Sequence, residues 1–340
     1  MNLDDDCYVI AEIGVNHNGS VDTARRLIDV AADAGADAVK FQTFFADDLV
    51  TTAAEKAAYQ ARNTGNDESQ HAMLTRLELD ESEFRELSAY CVDRGIDFLS
   101  TPFGERAADL LERIGVSAFK VSSGDLTYHQ FLAHLAEKGL PIILSTGMAT
   151  LAEVDAALAA IDGVGPVPVA LLHCVSDYPA APETCNLAAM ETMRRAFGRP
   201  VGWSDHTTGA PIGLAAVALG ASVIEKHITL DRTLHGPDHR ASMEPDDFRE
   251  YVAGIRDIQS ALGDGIKRPH PDELRTAEVA RRSIVAVRDL GAGSIVRSED
   301  VAILRPGTGL QPSMLDLVVG CRLARDVPAN RALMAEDLHA

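Results

Sequence analysis

The sequence of 340 residues lacks an apolar run of the about 20 residues that a membrane-spanning helix needs. Its first six residues, MNLDDD, are acidic, whereas a secretory signal peptide begins with positive charge. The 31 basic residues are outnumbered by 51 acidic ones, and the formal net charge of −20 offers no broad positive surface to nucleic acid or to an anionic membrane. We therefore expect a cytoplasmic protein that binds neither nucleic acid nor membrane.

Paired cysteines are missing as well. The five cysteines are odd in number and form no C-x-x-C pair, which argues against a disulfide framework and a thiolate zinc site. Cys174 follows the apolar stretch around Leu171 and Leu172, and we interpret it as a packing residue rather than a nucleophile. The sequence also contains no G-x-S-x-G, H-E-x-x-H or P-loop motif.

What is present is an alternation of short apolar runs with amphipathic segments, the pattern of βα units. Eight strands and eight helices are predicted, so a (β/α)8 TIM barrel is the simplest closure. An open doubly wound sheet is the alternative, but no G-x-G-x-x-G follows the first strand. The predicted strands are Tyr8 to Gly14, Asp37 to Gln42, Asp97 to Ser100, Ala118 to Val121, Pro141 to Ser145, Val167 to Cys174, Pro200 to Trp203 and Ala221 to Thr229.

Three other segments depart from the alternation. Residues 44–80 are long, polar in the middle and only partly helical in pattern, and we expect them to cover a substrate. The predicted barrel spans 1–265, and glycines and prolines indicate a linker at 266–282. The segment 283–340 is predicted to be a small β-rich domain, because a motif from Arg288 to Val301 recurs 37 residues later.

Polar side chains stand at the carboxyl ends of all eight predicted strands, where barrel active sites lie. Two lysines with several hydroxyls and glycines predict a site for a small anion that carries phosphate or carboxylate. The polar residues at or just after these ends include Glu12, Lys40, Gln42, Thr101, Lys120, Ser123, Ser145, Ser176, Tyr178, Ser204, His206, Glu225 and His227.

The last strand places Glu225 and His227 on one face, with Lys226 on the other, because strand side chains alternate. One interpretation is a hydrogen-bonded core histidine. The other is a divalent cation shared by His206 and His227, with Glu225, Asp238 or waters completing the shell; such ligands suit Mn²⁺, Fe²⁺, Co²⁺ or Zn²⁺.

Six motifs, in order along the chain, resemble the sialic acid synthase family, which includes N-acetylneuraminate and N,N'-diacetyllegionaminate synthases, and the tail resembles its antifreeze-like SAF domain. These motifs are Ala11 to Gly19 (AEIGVNHNG), Lys120 to Asp125 (KVSSGD), Leu144 to Met148 (LSTGM), Ser204 to Thr207 (SDHT), Ile224 to His227 (IEKH) and Gly236 to His239 (GPDH).

The resemblance implies a transferase that condenses phosphoenolpyruvate with an N-acetylmannosamine-type sugar aldehyde, giving a nine-carbon 2-keto acid and phosphate by C–O cleavage. It assigns phosphoenolpyruvate binding to Lys40, Thr101, Lys120, Ser123, Ser145, Ser204 and Ser176, the last standing where some members have Asn. It assigns the acceptor sugar to Glu12, Asn63, Asn66, Tyr178, Asp238 and Arg305. His206 and His227 would bind Mn²⁺, with Mg²⁺ or Co²⁺ as alternatives, and the catalytic set would be Glu225, Glu12, Lys120 and Arg305.

The family also implies a domain-swapped homodimer, in which Arg305 of one subunit reaches the barrel of the other. Two alternatives differ in function. A related synthase for a phosphorylated sugar would need a further basic cluster, for which residues 44–80 offer only Lys56, Arg62 and Arg76. A carbohydrate-binding protein with a degenerate barrel would have lost the polar strand ends, which are intact here.

Overall fold

A computed structural model describes residues 7–65 and 68–339, which divide into two compact units at Gly263. Eight parallel strands form the first unit: β1 Tyr8–Gly14, β2 Ala38–Thr43, β3 Asp97–Pro102, β4 Phe119–Val121, β5 Ile142–Ser145, β6 Val169–Cys174, β7 Val201–Asp205 and β8 Val223–His227. They are ordered β3-β2-β1-β8-β7-β6-β5-β4, and β3 packs against β4 to give a nearly closed barrel. The predicted (β/α)8 barrel is confirmed, and the doubly wound alternative is wrong.

Helices surround the strands because each has an apolar face to bury against the sheet. They are α1 Val21–Ala34, α2 Ala46–Leu49, α3 Ala58–Thr64, α4 Gln70–Leu77, α5 Glu81–Arg94, α6 Glu105–Ile114, α7 His129–Glu137, α8 Leu151–Asp162, α9 Ala189–Phe197, α10 Pro211–Ala218 and α11 Pro245–Leu262. Helices α2, α3 and α4 lie in segment 44–80, whose apolar residues form a cluster with Val15. None of the helices in the described ranges is long and apolar enough to span a membrane.

The inside of the barrel is apolar at one end and polar at the other, because inward-facing positions recur every second residue. Ile10 is followed by Glu12, Ala38 by Lys40, Leu99 by Thr101, Ala118 by Lys120, Ile143 by Ser145 and Val223 by Glu225; the first member of each pair belongs to one buried apolar cluster. On β7 the inner position is Gly202, where a Cβ would overlap the carbonyl of Val223. The apolar layer therefore forms a floor, and the polar residues stand above it.

The second unit contains α12 Pro271–Ala280, the antiparallel strands β9 Ser283–Ala286 and β10 Val301–Leu304, and α13 Leu315–Val318. Helix α12 lies within the segment 266–282 that the sequence predicts as a linker. It was missed because Pro269 and Pro271 were interpreted as linker residues. Pro271 instead occupies the first helical turn, where no backbone donor is needed, and His270 and Glu273 form a capping box.

The internal repeat produces two equivalent halves in this unit. Asp289 accepts a hydrogen bond from the backbone N–H of Ala329 at 2.7 Å, and Asp326 accepts one from Ala292 at the same distance. The buried carboxylates of Asp300 and Asp337 each bind an arginine at the equivalent position of their own half, Arg288 and Arg325. The duplicated motif thus forms a pseudo-symmetric module.

Candidate active site

A cavity of ≈ 450 Å³ opens at the carboxyl ends of the barrel strands. All the residues predicted to bind phosphoenolpyruvate line it: Lys40, Thr101, Lys120, Ser123, Ser145, Ser176 and Ser204. Glu12, Tyr178, His206, Glu225 and His227 line it too. All eight strands contribute to this lining directly, and its volume suits a small ligand.

Two buried lysines meet the carboxylate of Glu225 from either side. Lys40 Nζ lies 3.7 Å from Glu225 Oε2, and Lys120 Nζ lies 3.6 Å from Glu225 Oε1. Lys40 also contacts Glu12 Oε2 at 2.6 Å and donates to Thr101 Oγ1 at 2.8 Å. Two ammonium groups in one buried cavity supply local positive charge, which lets a strongly acidic protein attract an anion.

The pKa values of the two carboxyl groups in the cavity are shifted in opposite directions. Burial raises the pKa of Glu12 to about 7, although Lys40 opposes the shift. Burial also acts on Glu225, but Lys120, Lys40 and the Ser204 hydroxyl outweigh it and lower its pKa to about 2. The Ser204 hydroxyl donates to Glu225 Oε1 at 2.8 Å. The surroundings therefore favour the ionised form of Glu225 and disfavour that of Glu12.

His206 and His227 end β7 and β8 with ring centroids 5.7 Å apart. Burial lowers the pKa of both imidazoles, that of His206 to about 4, so both are neutral. His206 Nδ1 donates to the Val175 carbonyl at 2.7 Å, which leaves the lone pair on Nε2. His227 Nδ1 is buried with no hydrogen-bond partner among the described residues. A pair of neutral imidazoles with an unpaired buried nitrogen fits a divalent metal ion.

The predicted completion of this shell by Glu225 or Asp238 is not supported. No group of three or more His, Cys, Asp or Glu side chains is placed to hold a metal within residues 7–65 and 68–339. Glu225 is engaged by Ser204 and the two lysines instead. A metal held by the histidines would take its other ligands from substrate or water.

A second cavity of ≈ 290 Å³ adjoins the first and shares Tyr178 and His227 with it. One wall is the apolar cluster of segment 44–80, to which Phe44 and Met73 belong. Asp238 lines this side cavity, and burial raises the pKa of its carboxyl to about 6. Tyr178 packs over His206 at a centroid distance of 4.1 Å and lines both cavities.

Of the predicted sugar-binding residues, Glu12, Tyr178 and Asp238 line the two cavities, whereas Asn63 does not. Asn63 uses its side-chain amide to donate to the Pro237 carbonyl at 2.6 Å, and so ties α3 to the loop after β8. Asn66 lies outside the described residues. Arg305 lies in the second unit, directly after β10.

Sequence reasoning missed Cys174, Gln60 and Gln70. Cys174 lines the main cavity, so the packing interpretation is incomplete. The signal was its position two residues beyond Leu172, an inward-facing residue. Gln60 and Gln70 line both cavities from α3 and α4, which no strand periodicity could have indicated.

Comparison with known proteins agrees with this geometry. The NeuB family model matches residues 27–267, and the SAF domain model matches residues 281–339. The chain is 46% identical to the N,N'-diacetyllegionaminic acid synthase of Legionella pneumophila, over 98% of this chain and 95% of that protein. It is 45% identical to the enzyme of the same name from Campylobacter jejuni, over 92% and 94%.

A solved structure of N-acetylneuraminic acid (sialic acid) synthetase from Leptospira borgpetersenii, in complex with citrate, shares the fold. Its TM-score is 0.70 at 35% sequence identity, covering 81% of this chain and 91% of that one. The family model covers most of the barrel unit, and the relatives match over nearly their whole length. The chain therefore belongs to the NeuB family, with a SAF domain following its barrel.

Proposed function

We propose that this protein condenses phosphoenolpyruvate with the open-chain aldehyde of an N-acetylmannosamine-type sugar, giving a nine-carbon 2-keto acid and phosphate. The observation that carries the proposal is the pair Lys40 and Lys120, buried in one hydroxyl-lined cavity on either side of Glu225. Lys40, Thr101, Lys120 and the cavity serines hold the phosphate and carboxylate groups, as charge-assisted hydrogen bonds to such anions are strong.

The reaction forms one bond and breaks another. The enol carbon of phosphoenolpyruvate attacks the aldehyde carbon, and the aldehyde oxygen takes a proton to become a hydroxyl group. Water then adds to the carbon that bears the phosphate, and phosphate leaves with its bridging oxygen, so that a ketone remains. Lys40 and Lys120 stabilise the departing phosphate, and Glu225 lies beside both to orient water or move its proton. Glu12, beside Lys40 in the main cavity, is assigned to the acceptor by the family resemblance.

His206 and His227 would hold a divalent metal ion, and imidazole ligands favour Mn²⁺ or Co²⁺ over Mg²⁺. When bound, the ion polarises the aldehyde oxygen and stabilises the negative charge that develops there. The neutral state of both rings and the unpaired Nδ1 of His227 support this assignment.

The side cavity points to the acceptor. Its lining among the described residues contains no Lys or Arg, which disfavours a second phosphate group. Lys56 is used within segment 44–80, where it contacts Thr64, Gly65 and Glu68. Gln60, Gln70 and Asp238 offer amide and carboxyl partners to acetamido and hydroxyl groups, and the apolar wall suits a methyl group. We therefore favour a 2,4-diacetamido-trideoxy sugar over N-acetylmannosamine, in line with the relatives' names.

Phosphate release measured with phosphoenolpyruvate, Mn²⁺ and each sugar separately tests the proposal. We expect kcat/KM for the diacetamido-trideoxy sugar to exceed that for N-acetylmannosamine by at least about tenfold, the range that one methyl or hydroxyl difference gives in an apolar pocket. A 6-phosphorylated sugar should be a poorer acceptor than either. Absence of phosphate release with all three acceptors would overturn the synthase assignment.

Arg305 is assigned to the acceptor site of a partner subunit in a domain-swapped homodimer. The resemblance to the family supports this, as does the position of Arg305 outside the barrel unit. Arg305→Ala and Lys120→Met proteins should each be nearly inactive, yet mixing them should restore about a quarter of the sites, because half of randomly exchanged dimers contain one intact site. If exchanged heterodimers form and remain inactive, Arg305 acts within its own chain.

A further inference from the structure

The wall of the main cavity contains a polar cluster of Ser123, Gly147, Cys174 and Ser176, in which the proposed chemistry uses the two serines but not Cys174. The backbone N–H of Gly147 donates to Ser123 Oγ at 2.9 Å, and Ser123 Oγ lies 3.2 Å from Cys174 Sγ. A Cβ at Gly147 would lie 2.4 Å from Ser176 Oγ and 2.8 Å from Ser123 Oγ, closer than real contacts allow. Only glycine lets these side chains converge.

Ser123 has two neighbours and one hydrogen to donate. The Gly147 N–H occupies one lone pair of its oxygen, so the hydroxyl either donates to the Cys174 sulfur or accepts from the thiol. In the first arrangement the hydrogen points away from the ligand. In the second it is free for an anion in the cavity. A hydrogen bond to an anionic oxygen is stronger than one to a neutral sulfur, so a bound anion selects the second arrangement.

Resting on the proposed function, we propose that Cys174 is a positioning residue for phosphoenolpyruvate: its thiol donates to Ser123 and thereby directs the Ser123 hydroxyl hydrogen towards the anion. Cys174 is 5% exposed, and burial raises the pKa of its thiol, so the donor hydrogen is retained at neutral pH. The thiol itself performs no chemistry. It acts on the ligand through Ser123.

Steady-state kinetics of Cys174 variants test this. Cys174→Ala should raise the KM for phosphoenolpyruvate about fivefold, the ratio expected for one hydrogen bond of ordinary strength, with kcat and the KM for the sugar unchanged. Cys174→Ser keeps a donor and should lie within about twofold of the wild-type KM. Cys91→Ala is the matched control, because Cys91 is a buried thiol on α5 that packs in the outer core.

A double-mutant cycle separates positioning from packing. In a Ser123→Ala background, Cys174→Ala should cause no further rise in KM, because the hydroxyl that it orients is gone. If the alanine variant does not fold, Cys174→Val fills similar space without a donor and takes its place. An unchanged KM in the single variant, or the same rise in both backgrounds, overturns the inference. If the wild-type protein releases no phosphate, the proposed function is overturned as well. If the wild type is active and the Cys174 variants behave otherwise than expected, only the role of Cys174 is overturned.

Discussion

Lys120→Met is expected to lower kcat/KM for phosphoenolpyruvate by about a hundredfold to a thousandfold, the usual cost of removing one preorganised donor from a developing charge. Lys120 is 3% exposed and donates to Ser145 at 2.7 Å. Methionine retains an unbranched chain of similar length, so the wall keeps its shape while the charge is lost. Phosphate-release kinetics measure kcat/KM, and calorimetric titration measures the affinity of the protein for phosphoenolpyruvate.

The matched control is Lys138→Met. Lys138 follows α7 and forms ion pairs with the partly exposed carboxylates of Asp109 and Glu112. It does not line the cavity. Its replacement should leave the KM for phosphoenolpyruvate unchanged. If Lys120→Met folds and binds phosphoenolpyruvate within about threefold of wild type, Lys120 does not hold the anion, because a buried ammonium contact to phosphate is worth more than that factor.

Comparison with Lys226 shows why Lys120 is assigned to a ligand rather than to folding. Lys226 lies on the opposite face of β8 and is satisfied within the protein, by Asp205 Oδ2 at 2.9 Å and the Thr207 carbonyl at 2.5 Å. Among the described residues, the carboxylate nearest to Lys120 is that of Glu225, at 3.6 Å. A buried cation with a distant counterion is incompletely compensated, and a bound anion would complete its pairing.

Much of the main cavity could be predicted because its residues obey the strand period. The apolar floor and the polar layer differ by two positions on each strand, so Glu225 and His227 share a face and Lys226 does not. The family resemblance then suggested a role for each of them. This logic fails beyond the strands. The positions of Gln60 and Gln70 depend on how α3 and α4 fold over the cavity, which is decided by tertiary contacts rather than by local pattern.

Asn63 and Asp238 illustrate the same limit. Asparagine in a polar loop suggests a ligand contact, but its amide satisfies the Pro237 carbonyl across 174 residues of sequence. Asp238 follows a histidine-bearing strand, where the sequence leaves both a metal ligand and an acceptor contact open, and it lines the side cavity. Sequence spacing does not distinguish two adjoining cavities, because both are formed by the same loops.

The second large effect is expected at the metal site. His206→Ala and His227→Ala should each weaken Mn²⁺ binding by at least about a hundredfold, since changes to residues that merely support a ligand already cost about 10- to 100-fold. Turnover at limiting Mn²⁺ should fall in parallel. Calorimetric titration of the purified protein with Mn²⁺ alone measures the affinity without relying on activity. His134→Ala is the control, because His134 lies on α7 and pairs with Asp109.

Thermal unfolding distinguishes a metal ligand from a core histidine, the alternative that the sequence left open. A structural histidine would be hydrogen-bonded, and its removal would leave a buried partner unsatisfied at a cost of about 1 to 3 kcal/mol. His227 Nδ1 has no such partner among the described residues, so His227→Ala in metal-free protein should lose only the packing of the ring. Mn²⁺ should then raise the Tm of the wild type but not that of the variant. Equal stabilisation of both proteins by Mn²⁺ would place the metal elsewhere.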